Sequence, residues 1–179
     1  MTGKDGYVKN LKKEDLKDLY LNGTKETIPT LEEFLKFIDG RTPLLIEIKN
    51  TDKVGELESK LYSQLKEYKG EYAIQSFNPF VLEWFKNNAP EVLRGQLSGY
   101  FKGETLSLLK KIFLKRMILN KKVSQPHFIS YEASTLPNRF VRKYKRLPLL
   151  AWTVRSQEEY MKVIKFCDNI IFENFEPKL

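Results

Sequence analysis

Histidine and cysteine occur once each in these 179 residues, as His127 and Cys167. A lone cysteine excludes an intrachain disulfide, and nothing demands an oxidising compartment. A lone histidine leaves little for proton transfer at neutral pH, where histidine is the usual group. No apolar run approaches the ~18 residues that span a bilayer. The polar start Met1-Thr2-Gly3-Lys4-Asp5 lacks a signal-peptide core, so a soluble, cytoplasmic chain is expected. No glycine-rich phosphate loop follows any candidate strand, which argues against a nucleotide-binding open sheet. No low-complexity segment or long linker divides the chain, so a single domain over residues 1–179 is expected.

What is present is globular: 41% hydrophobic and 13% aromatic residues. The net charge of +8 comes mainly from two clusters. One runs from Lys110-Lys111 through Lys115-Arg116 to Lys121-Lys122, the other from Arg139 to Arg146. Interleaved with Ile112, Phe113 and Met117, and with Phe140, Val141 and Tyr144, they have the spacing of amphipathic helices showing a charged face to water. An anionic surface such as a membrane is the second reading. No nucleic-acid motif accompanies the charge, so no nucleic-acid partner is expected.

Apolar strands and amphipathic helices alternate. The strand candidates are residues 44–49, 72–77, 92–97, 128–132, 149–154 and 169–173, with helices starting near Leu31, Val54, Pro79, Thr105, Asn138 and Ser156. Thr30 with Glu33 and Ser156 with Glu159 fit the capping box, and Asn78-Pro79 supplies a cap followed by proline at the first helical position. Such alternation means an α/β fold with a parallel sheet. The choice lies between an open doubly wound sheet and a (β/α)8 barrel; six strands and this length fall short of a full barrel.

The run Pro43-Leu44-Leu45-Ile46-Glu47-Ile48-Lys49, bounded by Arg41-Thr42-Pro43 and Asn50-Thr51-Asp52, reads as a strand covered on both sides. Glu47 and Lys49 share one face ~6–7 Å apart, and Ile46 and Ile48 the other. Charges at such a strand end point to a site or to a simple ion pair.

Five segments in this order resemble the glycerophosphodiester phosphodiesterase family. They are Thr2-Gly3-Lys4-Asp5-Gly6-Tyr7-Val8, Ile28-Pro29-Thr30-Leu31-Glu32-Glu33-Phe34-Leu35, Ile46-Glu47-Ile48-Lys49, Ile74-Gln75-Ser76-Phe77-Asn78 and Ala151-Trp152-Thr153-Val154-Arg155. The resemblance implies a (β/α)8 barrel that hydrolyses glycerophosphodiesters to glycerol 3-phosphate and an alcohol with a divalent metal, Mg²⁺ or Ca²⁺. By position Glu47 matches a metal carboxylate and Lys49 a catalytic cation facing the phosphate. Gln75, Phe77 and Trp152 match pocket residues, with core packing as the competing role for each.

The family also opens with a strand ending His-Arg-Gly, a second carrying Glu-x-Asp, and a His-Asp pair before the Thr-Gly turn. None is in this sequence. The expectation is a TIM-type barrel lacking its first two strands, with about six βα units, an incomplete metal site and little activity alone. A partner-completed subunit, or a non-catalytic binder of phosphorylated ligands, is the alternative. Open strand edges would favour self-association. His127 precedes a strand and belongs at the amino-end face; Cys167 reads as a packed thiol, and Glu132 and Glu173 as capping or surface residues.

Overall fold

The computed structural model describes residues 2–50, 53–101 and 105–178; Thr51 and Asp52, expected to bound the first strand, lie outside them. Contacts divide the chain into a unit ending at Thr42 and a second starting at Pro43.

In the first unit a one-turn helix, α1 (Lys13–Leu16), precedes an antiparallel bridge between Tyr20 and Thr27 and then α2 (Leu31–Ile38). The Thr30 capping box forms as the sequence requires. The Glu33 backbone N–H donates to Thr30 Oγ1 at 3.2 Å, and the Thr30 N–H to Glu33 Oε2 at 2.8 Å. These bonds hold the Glu33 carboxyl below its ordinary value.

The second unit alternates β1 (Leu44–Glu47), α3 (Glu56–Leu65), β2 (Tyr72–Ser76), α4 (Pro79–Asn88), β3 (Leu93–Ser98), α5 (Leu108–Arg116), β4 (Phe128–Glu132), β5 (Leu149–Val154), α6 (Gln157–Val163) and β6 (Asn169–Phe172). Among the described residues all five pairings are parallel, and the strands lie side by side in chain order. A doubly wound sheet reverses direction partway. This sheet never does, so the chain winds one way, as a TIM-type barrel does, and its six strands curl into a half-barrel.

Registry carries Glu47, Gln75 and Gly95 along one face, joined further on by Ser130, Glu132 and Trp152. The opposite face, with Ile74, Ile129, Tyr131 and Ala151, is buried. Leu61 and Leu65 of α3, Val81, Leu82 and Phe85 of α4, and Tyr160 and Val163 of α6 are buried too. Each large side chain of this kind contributes about 1.5–3 kcal/mol by leaving water. Helix starts are fixed locally: Asn78 Oδ1 accepts the Phe80 N–H at 3.0 Å, with Pro79 at the first helical position.

Three expectations change. The first strand is not covered on both sides: Ile46 and Ile48 face inward, but Leu45, Glu47 and Lys49 are exposed. The segment from Asn138 is no α-helix. It forms a single 3-10 turn, Val141–Tyr144, entered through a local turn in which Asn138 Oδ1 accepts the Phe140 and Val141 N–H groups. Finally, α5 does not show water its charged face alone, since Leu108 and Leu109 are 74% and 72% exposed.

Candidate functional site

A cavity of about 1080 Å³ opens at the carboxyl ends of β1, β2, β4 and β5. Parallel strands deliver their last side chains and the following loops to one rim, which is why this end collects polar groups. Glu47, Lys49, Phe77 and Trp152, four of the expected site residues, line this cavity together.

The fifth, Gln75, lies beneath it. Gln75 is buried, is not a wall residue, and its side-chain oxygen accepts the Ser130 hydroxyl at 2.7 Å. Its place in the sheet supports the rim from below.

The rim is laced by hydrogen bonds. Ser76 Oγ donates to the Ile48 carbonyl at 2.7 Å and accepts the Asn78 N–H at 3.1 Å. Asn78 Nδ2 donates to the Asn50 carbonyl at 3.2 Å, and the Ile48 N–H to the Gln75 carbonyl at 2.8 Å. Buried Glu58 of α3 accepts Asn50 Nδ2 at 2.7 Å and the Gly55 N–H at 2.6 Å. The loop carrying Lys49 is thereby tied to α3 and β2.

The aromatic wall is a row. Phe77 meets Trp152 edge-on with ring centroids 5.4 Å apart and Phe101 at 5.5 Å. Such pairs add ~0.5–1.5 kcal/mol beyond burial. Among the described residues the indole N–H of Trp152 is buried without a partner, which is costly in a packed interior.

Charge is distributed unevenly. Among the described residues Lys49 and Lys110 make no ion pair, whereas Arg155 Nε is held by Glu173 Oε1 at 2.7 Å and Lys162 by Glu158 at 2.6 Å. Of the wall carboxylates, Glu132 accepts the Tyr100 N–H at 2.6 Å and the Ser134 hydroxyl at 2.9 Å, and Glu159 accepts the Arg155 N–H at 2.7 Å. Glu47 alone makes no hydrogen bond or ion pair among the described residues. Phe101 and Lys110 were missed as wall residues. Glu132, read from its strand end as a capping or surface residue, stands on this wall with two hydrogen bonds accepted.

A hard divalent cation takes roughly six or more oxygen ligands. Among the described residues no three histidine, cysteine, aspartate or glutamate side chains gather to hold one. Among the described residues Glu47, the one unengaged wall carboxylate, does not by itself make up such a centre.

His127 lies at the far end of the sheet. Its Nδ1 accepts the Arg94 N–H at 3.2 Å and its own N–H donates to the Arg94 carbonyl at 2.8 Å. Desolvation and the Arg94 charge hold its pKa below the ordinary value. Cys167 is a half-buried free thiol whose Sγ donates to the Val163 carbonyl.

The profile of the glycerophosphoryl diester phosphodiesterase family matches residues 1–174. Among solved structures, a phosphodiesterase of Oleispira antarctica in complex with the product sn-glycerol-3-phosphate is similar at a TM-score of 0.73 and 22% identity, over 94% of this chain and 69% of that one. A glycerophosphodiester phosphodiesterase of Parabacteroides distasonis gives 0.68 and 23%, over 89% of this chain and 65% of that one. One from Thermotoga maritima gives 0.66 and 17%, over 96% and 70%. At these identities the structural likeness speaks to the fold. No curated protein sequence gives a significant match. Among the described residues no helix is long and apolar enough to cross a membrane.

Proposed function

The chain belongs to the glycerophosphoryl diester phosphodiesterase family, and from that premise we propose that its rim cavity binds glycerophosphodiesters. The reaction of the reading is attack of water on phosphorus, with cleavage of the bond to the alcohol, which takes up a proton and leaves glycerol 3-phosphate. Lys49 meets a non-bridging phosphate oxygen as a point charge. The Trp152 N–H donates to a ligand oxygen, Phe77 packs against the carbon skeleton, and Gln75 holds the rim from beneath. Glu47 brings the one unengaged carboxylate of the described wall.

The observation that carries the reading is the gathering of Glu47, Lys49, Phe77 and Trp152 on one cavity at the carboxyl rim. The sole histidine sits at the opposite strand end. A positioned acid or base is typically worth ~10²–10⁴-fold, so cleavage by this chain alone is expected to be slow. The same observation favours, as a second reading, a phosphate-binding or partner-completed subunit. The edge strands β1 and β6 each have one strand neighbour among the described residues, and self-association through them belongs to that reading.

The test is hydrolysis of glycerophosphocholine, with and without Mg²⁺ or Ca²⁺, beside Glu47→Gln and alongside binding of sn-glycerol 3-phosphate. Saturable binding with turnover close to background is expected. Absence of binding by the folded chain contradicts the reading. Rapid metal-dependent turnover lost in Glu47→Gln contradicts the expectation of slow cleavage.

A further inference from the structure

Helix α5 is pinned in an orientation that turns its apolar stripe outward. Ser98 Oγ donates to the Leu114 carbonyl at 2.6 Å, Tyr131 Oη to the Lys115 carbonyl at 2.9 Å, and Tyr144 Oη to the Met117 carbonyl at 3.0 Å. The Lys115 ammonium sits 3.6 Å from the centre of the Tyr100 ring. The last turn, from Leu114 to buried Met117, is therefore held against the protein. Leu108, Leu109, Ile112 and Phe113 follow one another at positions i, i+1, i+4 and i+5 and form an exposed stripe. An amphipathic helix that displays its apolar residues implies something that covers them.

The chemistry beside the stripe says what. A second cavity, of about 610 Å³, begins at the carboxyl end of the same helix. Arg116, Lys121, Arg139 and Lys143 line it with Met117, Ile118, Phe140 and Tyr144, and among the described residues no carboxylate is on its walls. Among the described residues none of these four cations is ion-paired, although the Arg139 guanidinium lies 5.1 Å from the centre of the Phe140 ring. Exposed Ile118 stands on its wall.

We propose that α5 and this cationic cavity form a docking surface for an anionic phospholipid bilayer. Leu108, Leu109, Ile112 and Phe113 enter the headgroup–acyl boundary, and the four cations hold lipid phosphates. Apolar insertion and electrostatic attraction are the two terms that bind an interfacial helix, and both are found on one face of this protein. Phe113 and Lys110 also line the rim cavity, so docking brings that cavity to the lipid surface.

The test is flotation of the purified chain with vesicles of phosphatidylcholine alone or mixed with phosphatidylglycerol. Co-flotation with the mixed vesicles only, weakening as salt rises, is expected. The paired change Leu109→Asp and Ile112→Asp is expected to lower binding at least about tenfold. Lys121→Glu with Lys143→Glu is expected to lower it about fivefold for each cation removed. All four positions lie outside the rim cavity, and an unchanged melting temperature shows that each variant is folded. Failure of the native chain to float with mixed vesicles overturns the proposal, as does equal flotation with neutral ones or flotation that survives either pair of changes. A dimer that Leu109→Asp and Ile112→Asp dissolve, without vesicle binding, assigns the stripe to a second copy of the chain and also overturns it. Flotation reads no catalysis, so this proposal and the glycerophosphodiester reading can fail separately.

Discussion

The Ser130 hydroxyl on β4 donates to the side-chain oxygen of Gln75 on β2 at 2.7 Å, reaching across the intervening strand β3. Both residues are buried, so this bond ties β2 to β4 across β3 beneath the rim. Ser130→Ala leaves the Gln75 oxygen buried and unpaired, and a loss of about 1–3 kcal/mol in urea unfolding is expected. Adding Gln75→Leu removes the unpaired group, and the double variant is expected to lose less than the sum of the two single changes.

Gly95 makes room on the same face. A methyl group there would stand 2.0 Å from the Phe128 ring, which belongs to the neighbouring strand. Gly95→Ala is expected to cost about 1–3 kcal/mol of stability by overpacking, and Phe128→Leu is expected to recover part of it. Equal stability of Gly95→Ala and the native chain, by thermal melting, contradicts the close strand approach.

Stability is expected to fall in mild acid because of His127. Its folded pKa lies below the unfolded value near 6.5, so unfolded chains take up the proton first. The contribution is complete above about pH 6.5 and is lost as the pH falls through the folded value. Protonation removes the acceptor that receives the Arg94 N–H and places a second cation near the guanidinium. The ring is exposed, so the slope is shallow. His127→Gln is expected to flatten it in melting curves recorded between pH 5 and 7.

Lys49 is exposed and outside any described ion pair, so Lys49→Met is expected to leave the melting temperature unchanged. Affinity for sn-glycerol 3-phosphate is expected to fall about ten- to a hundredfold, the range for one charge-assisted hydrogen bond. Titration calorimetry on both proteins checks both halves. Loss of stability without loss of affinity would assign Lys49 a packing role.

Much of this architecture is legible in residue order. The runs 128–132 and 149–154 match β4 and β5 residue for residue, since apolar stretches between turn residues have few other uses. The Thr30 and Asn78 caps form as their spacing requires, because capping is decided within four residues. The Ser156 box forms only on the serine side: Glu159 takes the N–H of Arg155 instead. The failures concern orientation. Periodicity reveals that α5 has two faces, but not which one meets water; three distant hydroxyls decide that. The apolar run at β1 reads the same whether one face is covered or two. Glu47 and Glu132 both close strands, yet only Glu132 has the Tyr100 N–H and Ser134 within reach, and that depends on loops.

The most direct measurement concerns the two tryptophans, Trp84 and Trp152. Their indole N–H signals can be followed by NMR while sn-glycerol 3-phosphate is added, with Trp152→Phe supplying the assignment. Trp152 lines the rim cavity with its N–H unpartnered, whereas Trp84 stands on α4 outside the cavity wall. The account predicts a saturable shift of the Trp152 signal, weakened in Lys49→Met, with Trp84 unmoved. A Trp152 signal that stays fixed at saturating ligand, or a shift of Trp84 alone, contradicts the assignment of this rim as the glycerophosphodiester site.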